Sequence, residues 1–444
     1  MTTSGNAMNH PAAEPPLKVE TREELCYLLG QACEIEHGLM CEYLYAQFSL
    51  KRGPEEGLTP GQLTRVQAWE AALITVIKQE MLHLALSTNI LTALGAAPHF
   101  ERANFPILSG WYPAGVQIAL VPFGERALRH FMYLERPEGM ALTDAAGFSA
   151  ARHARPLTVG DRPLVATAQE WHTVGHLYRG IEAGLEHLCR RYGEEAVFIG
   201  PAKAQAVTDI FEWPELIAVT DLTSARRAIE LIVEQGEGAR GDWTRSHFGT
   251  FVGILEDLLA EQAADPAFDP ARPAEPAFVR LPPDVTSGAL IDDPVTARAA
   301  DLFTALYELV LQVLSRYYIH HDETAAELDT LARTAKHLMN WAMRQLGPVL
   351  TTLPIGPSHP GHTAGPAFDI ARPATFILPH RDAAWKIIAE RLGALERTCH
   401  SLAEDARLTS LGPLAEQLHS IGRDVGDRVA ERAARAQPSP AGRD

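Results

Sequence analysis

The chain has 444 residues, enough for two to three domains at the usual ~100–200 residues each. Hydrophobic residues make up 46% and charged residues 21%, the balance of a water-soluble globular protein. A formal net charge of -17 repels phosphate and argues against nucleic acid as a general partner. No apolar run approaches the roughly 18–20 residues of a membrane span, so no membrane partner is expected.

Residues 1–20 begin Pro/Ala/Asn-rich, with no basic start and no apolar core, and read as a disordered tail rather than a secretory signal. A first helix opens at the capping box Thr21-Arg-Glu-Glu24, where hydroxyl and carboxylate each accept a free backbone amide, and stops at Gly53-Pro54. A second opens at Thr59-Pro60-Gly61-Gln62 and ends at Gly95. Two helices of this length, each roughly 45 Å long with a short connection, read as an antiparallel bundle hairpin. Residues 100–166 are rich in Pro, Gly and aromatics and read as an insertion, with Val116 to Val121 as a short strand or extended crossover.

The third helix is expected from the box Thr167-Ala-Gln-Glu170 to about Tyr192, and the fourth from near Thr223. The run Gln235-Gly-Glu-Gly-Ala-Arg-Gly241 should break the fourth, and a helical pattern resumes at Ser246. The bundle therefore spans 21–262, followed by a Pro-rich linker over 263–295. A C-terminal helical region over 296–435 comes next, expected to pack on the bundle, and a tail over 436–444 closes the chain. Within that region Asp293-Pro294 and Thr324-Ala-Ala-Glu327 start helices, Gly347-Pro348 stops one, 353–379 is a long loop, and Gly412-Pro413 interrupts the last pattern. Five cysteines, an odd number without any Cys-x-x-Cys, favour free thiols and a cytoplasmic location.

The chemistry shows where acids interrupt apolar seams. Steps of three and four along the second helix give Trp69, Leu73, Val76, Glu80, His83, Ser87, Ile90 and Leu94. Glu80 and His83 thus share a core stripe, where a charge costs several kcal/mol unless it is paired or binds a metal. In the first helix Glu36 interrupts Leu25, Leu29, Ala32, Leu39, Tyr43 and Ala46; a neighbouring stripe puts Glu42 forward, ranked second. The third helix offers Glu182 inside the seam and His176 beside it, with Tyr178 between them. The fourth offers Glu230, Glu234 and Glu237, then His247 after the glycine break. Glu-x-x-His plus one Glu from a neighbouring helix, repeated in the other half, is the ligand pattern of dimetal four-helix bundles. Glu80-Met-Leu-His83 fits it; the second half has no such tetrad, so Glu237 and His247 must converge across a distorted turn. Oxygen and imidazole ligands suit iron or manganese. Cys33, His37 and Cys41 share a helical face, where packing is favoured over a thiolate–imidazole site. His320-His321 reads as a helix cap, and His359 and His362 lie in the long loop without a spacing argument.

Several segments resemble the ferritin-like family that includes the ferritin-like domain of iminophenylpyruvate dimer synthase in bisindole biosynthesis. They are Glu34-Ile-Glu-His-Gly-Leu-Met-Cys-Glu-Tyr-Leu-Tyr-Ala46, Glu80-Met-Leu-His-Leu84 with Asn89 to Pro98, Thr173-Val-Gly-His-Leu-Tyr178, and Gln235-Gly-Glu-Gly238 with Ser246-His-Phe248. The resemblance implies a mainly α fold, a ferritin-like four-helix bundle, with metal ligands at Glu36, Glu80, His83, Glu237 and His247 and either His176 or Glu182 as the third-helix ligand. The expected function is a metal-dependent oxidase or oxygenase, di-iron first and manganese second. It would use O2 on a small organic, amino-acid-derived substrate of secondary metabolism. Tyr43 and Tyr178, near the acids on their seams, are the candidate catalytic side chains. The alternatives are a non-catalytic iron-handling protein and a structural partner of a biosynthetic complex. Assembly into a homo-oligomer stays open.

Overall fold

Thr21 opens the first helix, α1 (Arg22–Ser49): its hydroxyl accepts the Glu24 amide while the Glu24 carboxylate accepts the Thr21 amide. The same reciprocal cap, Thr59 with Gln62, opens α2 (Pro60–Ala93). The two helices are antiparallel, because Cys33 meets Thr88, Glu36 meets His83 and Gln47 meets Glu70: one number rises as the other falls. The computed structural model describes residues 16–108, 112, 116–148, 166, 169–238, 242–282, 288–371 and 379–436.

The other two columns of the bundle are each broken in the middle. The third column is α3 (Glu125–Leu134) followed end to end by α4 (Val174–Tyr192). Both run antiparallel to α1, with His130 facing Glu42 and Tyr178 facing Glu36. After short turns α5 (Glu194–Val197) and α6 (Thr208–Phe211), the fourth column is α7 (Leu222–Gly236) followed by α8 (His247–Ala264). Both run antiparallel to α2: Gln235 meets His83, His247 meets Gln79, and Glu261 meets Arg65. The glycine run breaks the fourth column as expected, and the break lies level with Glu80 and His83.

Several sequence expectations are corrected here. The third helix does not begin at Thr167, which lies outside the described residues. Glu170 precedes the helix, and Thr173 is the cap, its hydroxyl accepting the His176 amide. The insertion contains α3, whose apolar residues Ala127, Leu128, Phe131 and Leu134 recur at helical spacing and are buried. The stretch from Val116 contributes one bridge, between Ile107 and Ile118, rather than a strand. Of the expected tail over 1–20, residues 16–20 are described and pack on α4. Leu17 and Val19 are buried over Gly180 and Gly184, where any β-carbon would clash with them.

The stretch read as a linker holds β1 (Ala274–Phe278) and β2 (Ala289–Leu290), which form a parallel sheet with β3 (Thr363–Pro366) in the order β2-β1-β3. Then come α9 (Pro294–Tyr318), capped by Asp293, and α10 (Ala325–His337), which continues through a π-helical turn, Leu338–Met343, into α11 (Arg344–Leu350). Gly347 does not stop that helix; it lets the backbone approach the Phe48 ring, which a β-carbon there would meet at 2.4 Å. The hairpin of α12 (Arg381–Ala403) and α13 (Gly412–Ala436) closes the described chain. The C-terminal half lies against α1 and α2 and shares one continuous hydrophobic core with the bundle. Among the described residues, no helix is long and apolar enough to cross a membrane.

Candidate metal centre

Four helix ends meet at the level where the third and fourth columns break. The C-termini of α3 and α7 place Glu135 and Glu237 at their caps, and the N-termini of α4 and α8 point toward the same level. A carboxylate at a helix C-terminus opposes the helix dipole. Here the amino ends of α4 and α8 supply the compensating positive field. The mid-helix faces of α1 and α2 complete the wall with Glu36, Glu80 and His83.

Glu80 is the hub. Its Oε1 lies 2.7 Å from His247 Nδ1, and its Oε2 lies 3.7 Å from His83 Nδ1. Glu36 Oε2 is 3.3 Å from the same His83 nitrogen. Glu135 Oε1 is 3.6 Å from His247 Nδ1. The ligand atoms of Glu80, His83 and His247 all lie within 4.8 Å of one another, and the three residues are buried. The two imidazoles stack with centroids 5.4 Å apart.

An outer ring of hydrogen bonds fixes this set. His83 Nε2 donates to Gln235 Oε1 at 3.0 Å, and His247 Nε2 donates to Gln79 Oε1 at 3.0 Å. In the neutral ring each Nδ1 therefore carries the lone pair and points at the carboxylates, as metal-ligating histidines require. Tyr178 donates to Glu36 Oε1 at 2.7 Å and is itself 2.8 Å from Ser87 Oγ. Tyr43 donates to Glu135 Oε1 at 2.5 Å.

The electrostatics follow from packing like charges away from water. Burial, reinforced by Glu80, raises Glu36 to about 8, so it holds a proton at neutral pH. Burial also opposes ionisation of Glu80, but His247 and His83 together outweigh it and hold Glu80 well below the usual carboxylate range. Burial pulls both imidazoles down, yet Glu80 and their second carboxylates outweigh it: His247 rises to about 9 and His83 moves well above its ordinary value. Both oxygens of Glu80 and Nδ1 of His247 are buried without an aligned hydrogen bond, although two of these atoms are 2.7 Å apart. Without metal the raised imidazoles pair with the Glu80 charge, and a cation that displaced their protons would take these same atoms as ligands. The donor set, three carboxylates and two imidazoles, fits iron or manganese.

The ferritin-like family model matches residues 29–256, half of the chain. The chain belongs to the ferritin-like family. Dichlorochromopyrrolate synthase of Lentzea aerocolonigenes is 29% identical over 91% of this chain and 42% of its own length. The 2-imino-3-(indol-3-yl)propanoate dimerase of Chromobacterium violaceum is 27% identical over 80% of this chain and 35% of its own. The chain thus spans less than half the length of either relative. A crystal structure of a ferritin-like protein from Caulobacter vibrioides matches with a TM-score of 0.45 at 19% identity, covering 74% of this chain and 98% of that one.

In this ferritin-like bundle, Glu36, Glu80, His83 and His247 come together, with Tyr43 and Tyr178 bonded to the flanking acids. Glu237 is buried at the same level but turns to the start of α4: Oε1 accepts the Gly175 amide at 2.6 Å and Oε2 the Glu138 amide at 3.1 Å. Burial raises its carboxyl to about 7, with the Gly175 amide opposing. Glu182 lies outside the cluster, half-exposed and 3.5 Å from Arg226, on the side of α4 turned toward α7 rather than toward Glu36. His176 is buried two residues before Tyr178, its ring centroid 6.5 Å from that of His172, and is not one of the residues meeting at Glu80.

Sequence reasoning missed Glu135, Gln79 and Gln235 as site residues. Glu135 ends a short helix inside the presumed insertion, followed by Arg-Pro-Glu-Gly, which looks like a solvated turn; the apolar spacing from Ala127 to Leu134 was the available signal. Glu42, the second choice on α1, does not face Glu80. It accepts the Ala119 amide at 2.5 Å and lies 3.3 Å from His130, whose other nitrogen is 2.8 Å from Asp144. This buried cluster pins α3 to α1 and so sets where Glu135 sits.

Proposed function

We propose that this protein is a dimetal, O2-using oxidase or oxygenase, di-iron in preference to manganese, acting on a small amino-acid-derived molecule. The observation that carries the reading is the buried group Glu36, Glu80, Glu135, His83 and His247. Glu80, His83 and His247 bring their ligand atoms within 4.8 Å of one another, and Glu36 and Glu135 each set a carboxylate oxygen beside one of the two imidazoles. When bound there, two irons would supply O2 binding and reduction. Glu80, His83 and His247, flanked by Glu36 and Glu135, would hold the metal.

The protein's own residues would control protons and access. Tyr178 holds a proton against Glu36 Oε1, and Tyr43 holds one against Glu135 Oε1, each 2.7 Å or less from the acid it serves. Gln79 and Gln235 keep the imidazoles in the ligating tautomer. A cavity of about 620 Å3 between α4 and α7 has Glu237 on its inner wall and Arg179 and Arg226 facing it. Both guanidiniums are already paired, Arg179 with Glu138 and Arg226 with Glu182 and Glu186. The Chromobacterium relative is named for an imino acid carrying an indole, which supports an amino-acid-derived substrate here.

The test is metal content per chain after anaerobic loading with Fe(II) and with Mn(II), followed by O2 uptake with indole imino and amino acids. Roughly two metals per chain are expected, dropping sharply in Glu80→Ala and His83→Ala. No tight metal in the folded wild-type protein would sink the oxidase reading.

A further inference from the structure

An apolar cavity of about 340 Å3 lies where the α1–α2 hairpin meets α9, on the faces turned away from Glu80. That volume lies within the usual range for small-molecule sites. Four methionines from three segments line it, Met40, Met81, Met339 and Met343, and the rings of Phe48, Trp213 and Tyr307 add flat surface. Thioethers and aromatic faces adapt to planar apolar ligands. Three lining residues, Met339, Asn340 and Met343, come from the π-helical turn Leu338–Met343. Such turns are rare and concentrate at functional sites.

Lysines stand at the rim of the cavity, and a buried arginine lies behind its inner wall. At the rim, Lys336 is paired with Glu212 at 2.7 Å, whereas exposed Lys78 has no ion-pair partner among the described residues. At the inner end Tyr307 lies 2.5 Å from His37 Nε2 and accepts from Arg102 Nη2 at 2.8 Å. Arg102 is buried, and among the described residues no carboxylate pairs with it. Its donors go to Tyr307, Cys41 and the carbonyls of Ala103 and Phe368.

We propose that this cavity is a second ligand site, separate from the metal cluster, taking one flat, largely apolar ring compound whose single negative group is held at Lys78. The group stays at the rim because an anion left partly hydrated there avoids most of its desolvation cost. The site does not depend on metal in the bundle.

Two fluorescent probes with the same ring system separate the apolar and ionic parts: 8-anilinonaphthalene-1-sulfonate and its uncharged relative N-phenyl-1-naphthylamine. Each is titrated into the full chain, with chelator and after Mn(II) loading. One saturable site per chain is expected for the sulfonate, equal in both conditions. Lys78→Met should weaken the sulfonate about three- to fivefold and leave the uncharged probe unchanged. Ala85→Phe and, independently, Leu311→Phe fill the cavity and should weaken both probes at least tenfold, on the order of 1.4 kcal/mol. Circular dichroism and thermal melts identify which variants remain folded. Unchanged sulfonate binding in a folded filling variant would overturn the site. Equal loss of both probes in Lys78→Met, or loss of neither, would overturn the anionic assignment. A chain that takes up no metal yet binds the sulfonate as described supports this site while ending the oxidase reading.

Discussion

Loading the metal-free protein with Mn(II) should release protons, and the number follows from the cluster. Without metal, Glu36 titrates at about 8, His247 at about 9 and His83 well above the ordinary imidazole value. All three carry protons at pH 7, whereas a bound cation needs the carboxylate and the neutral rings. Roughly three protons should therefore leave per loaded chain at pH 7. The apparent Kd should tighten by up to about tenfold per pH unit for each proton displaced. Calorimetry in two buffers of different ionisation enthalpy, repeated from pH 6 to 8.5, reads both quantities. Glu80→Gln sharpens the test, since the Glu80 charge is the main force lifting both imidazoles against burial. In that variant the rings should be neutral at pH 7, and proton release should fall by about two even where residual metal binds. An affinity flat from pH 6 to 8 with no proton release would refute the assignment of these three residues as ligands.

The metal-free protein should also lose stability with rising pH. The folded pKa of His247, about 9, lies above the unfolded value, so its contribution is complete below about pH 6.5 and disappears as pH rises through 9. That contribution is about 3 kcal/mol, and raised Glu36 acts in the same direction; denaturant melts with chelator at pH 6 and pH 9 measure it. Gln235→Leu removes the acceptor of the His83 Nε2 proton and should weaken metal binding about 10–100-fold, with about 1–3 kcal/mol lost in the melt from the unpaired donor. His130→Leu strands Glu42 as a buried carboxylate and should cost about 3–5 kcal/mol, with metal affinity falling too because α3 carries Glu135; a melt and a metal titration on one preparation check both. Glu135→Ala should lower metal content by about one per chain and leave the Tyr43 hydroxyl unpaired at about 1–3 kcal/mol, whereas unchanged content would remove Glu135 from the ligand set.

What the sequence determined by itself was local in origin. Helix starts at Thr21, Thr59, Asp293 and Thr324 follow from cap chemistry within four residues, and the structure places caps at each. Glu36, Glu80 and His83 were legible because a charge inside a three-four apolar stripe has few uses other than pairing or metal binding. The break near Gly236 was legible from glycine alone. Tertiary structure decided the rest. The third column is two helices joined across a long connection, so Glu135 reaches the cluster through space and not through spacing. Whether Glu182 or Tyr178 faces Glu36 depends on how α4 rotates once Leu17 and Val19 lie on its glycines. Glu237 and His247 stand ten residues apart at the same break, and only the dipoles of the facing helices sort them. Glu237 goes to the amides of α4, and His247 goes to Glu80. Periodicity places a residue on a face of its own helix, but only the packing of distant segments decides what that face meets.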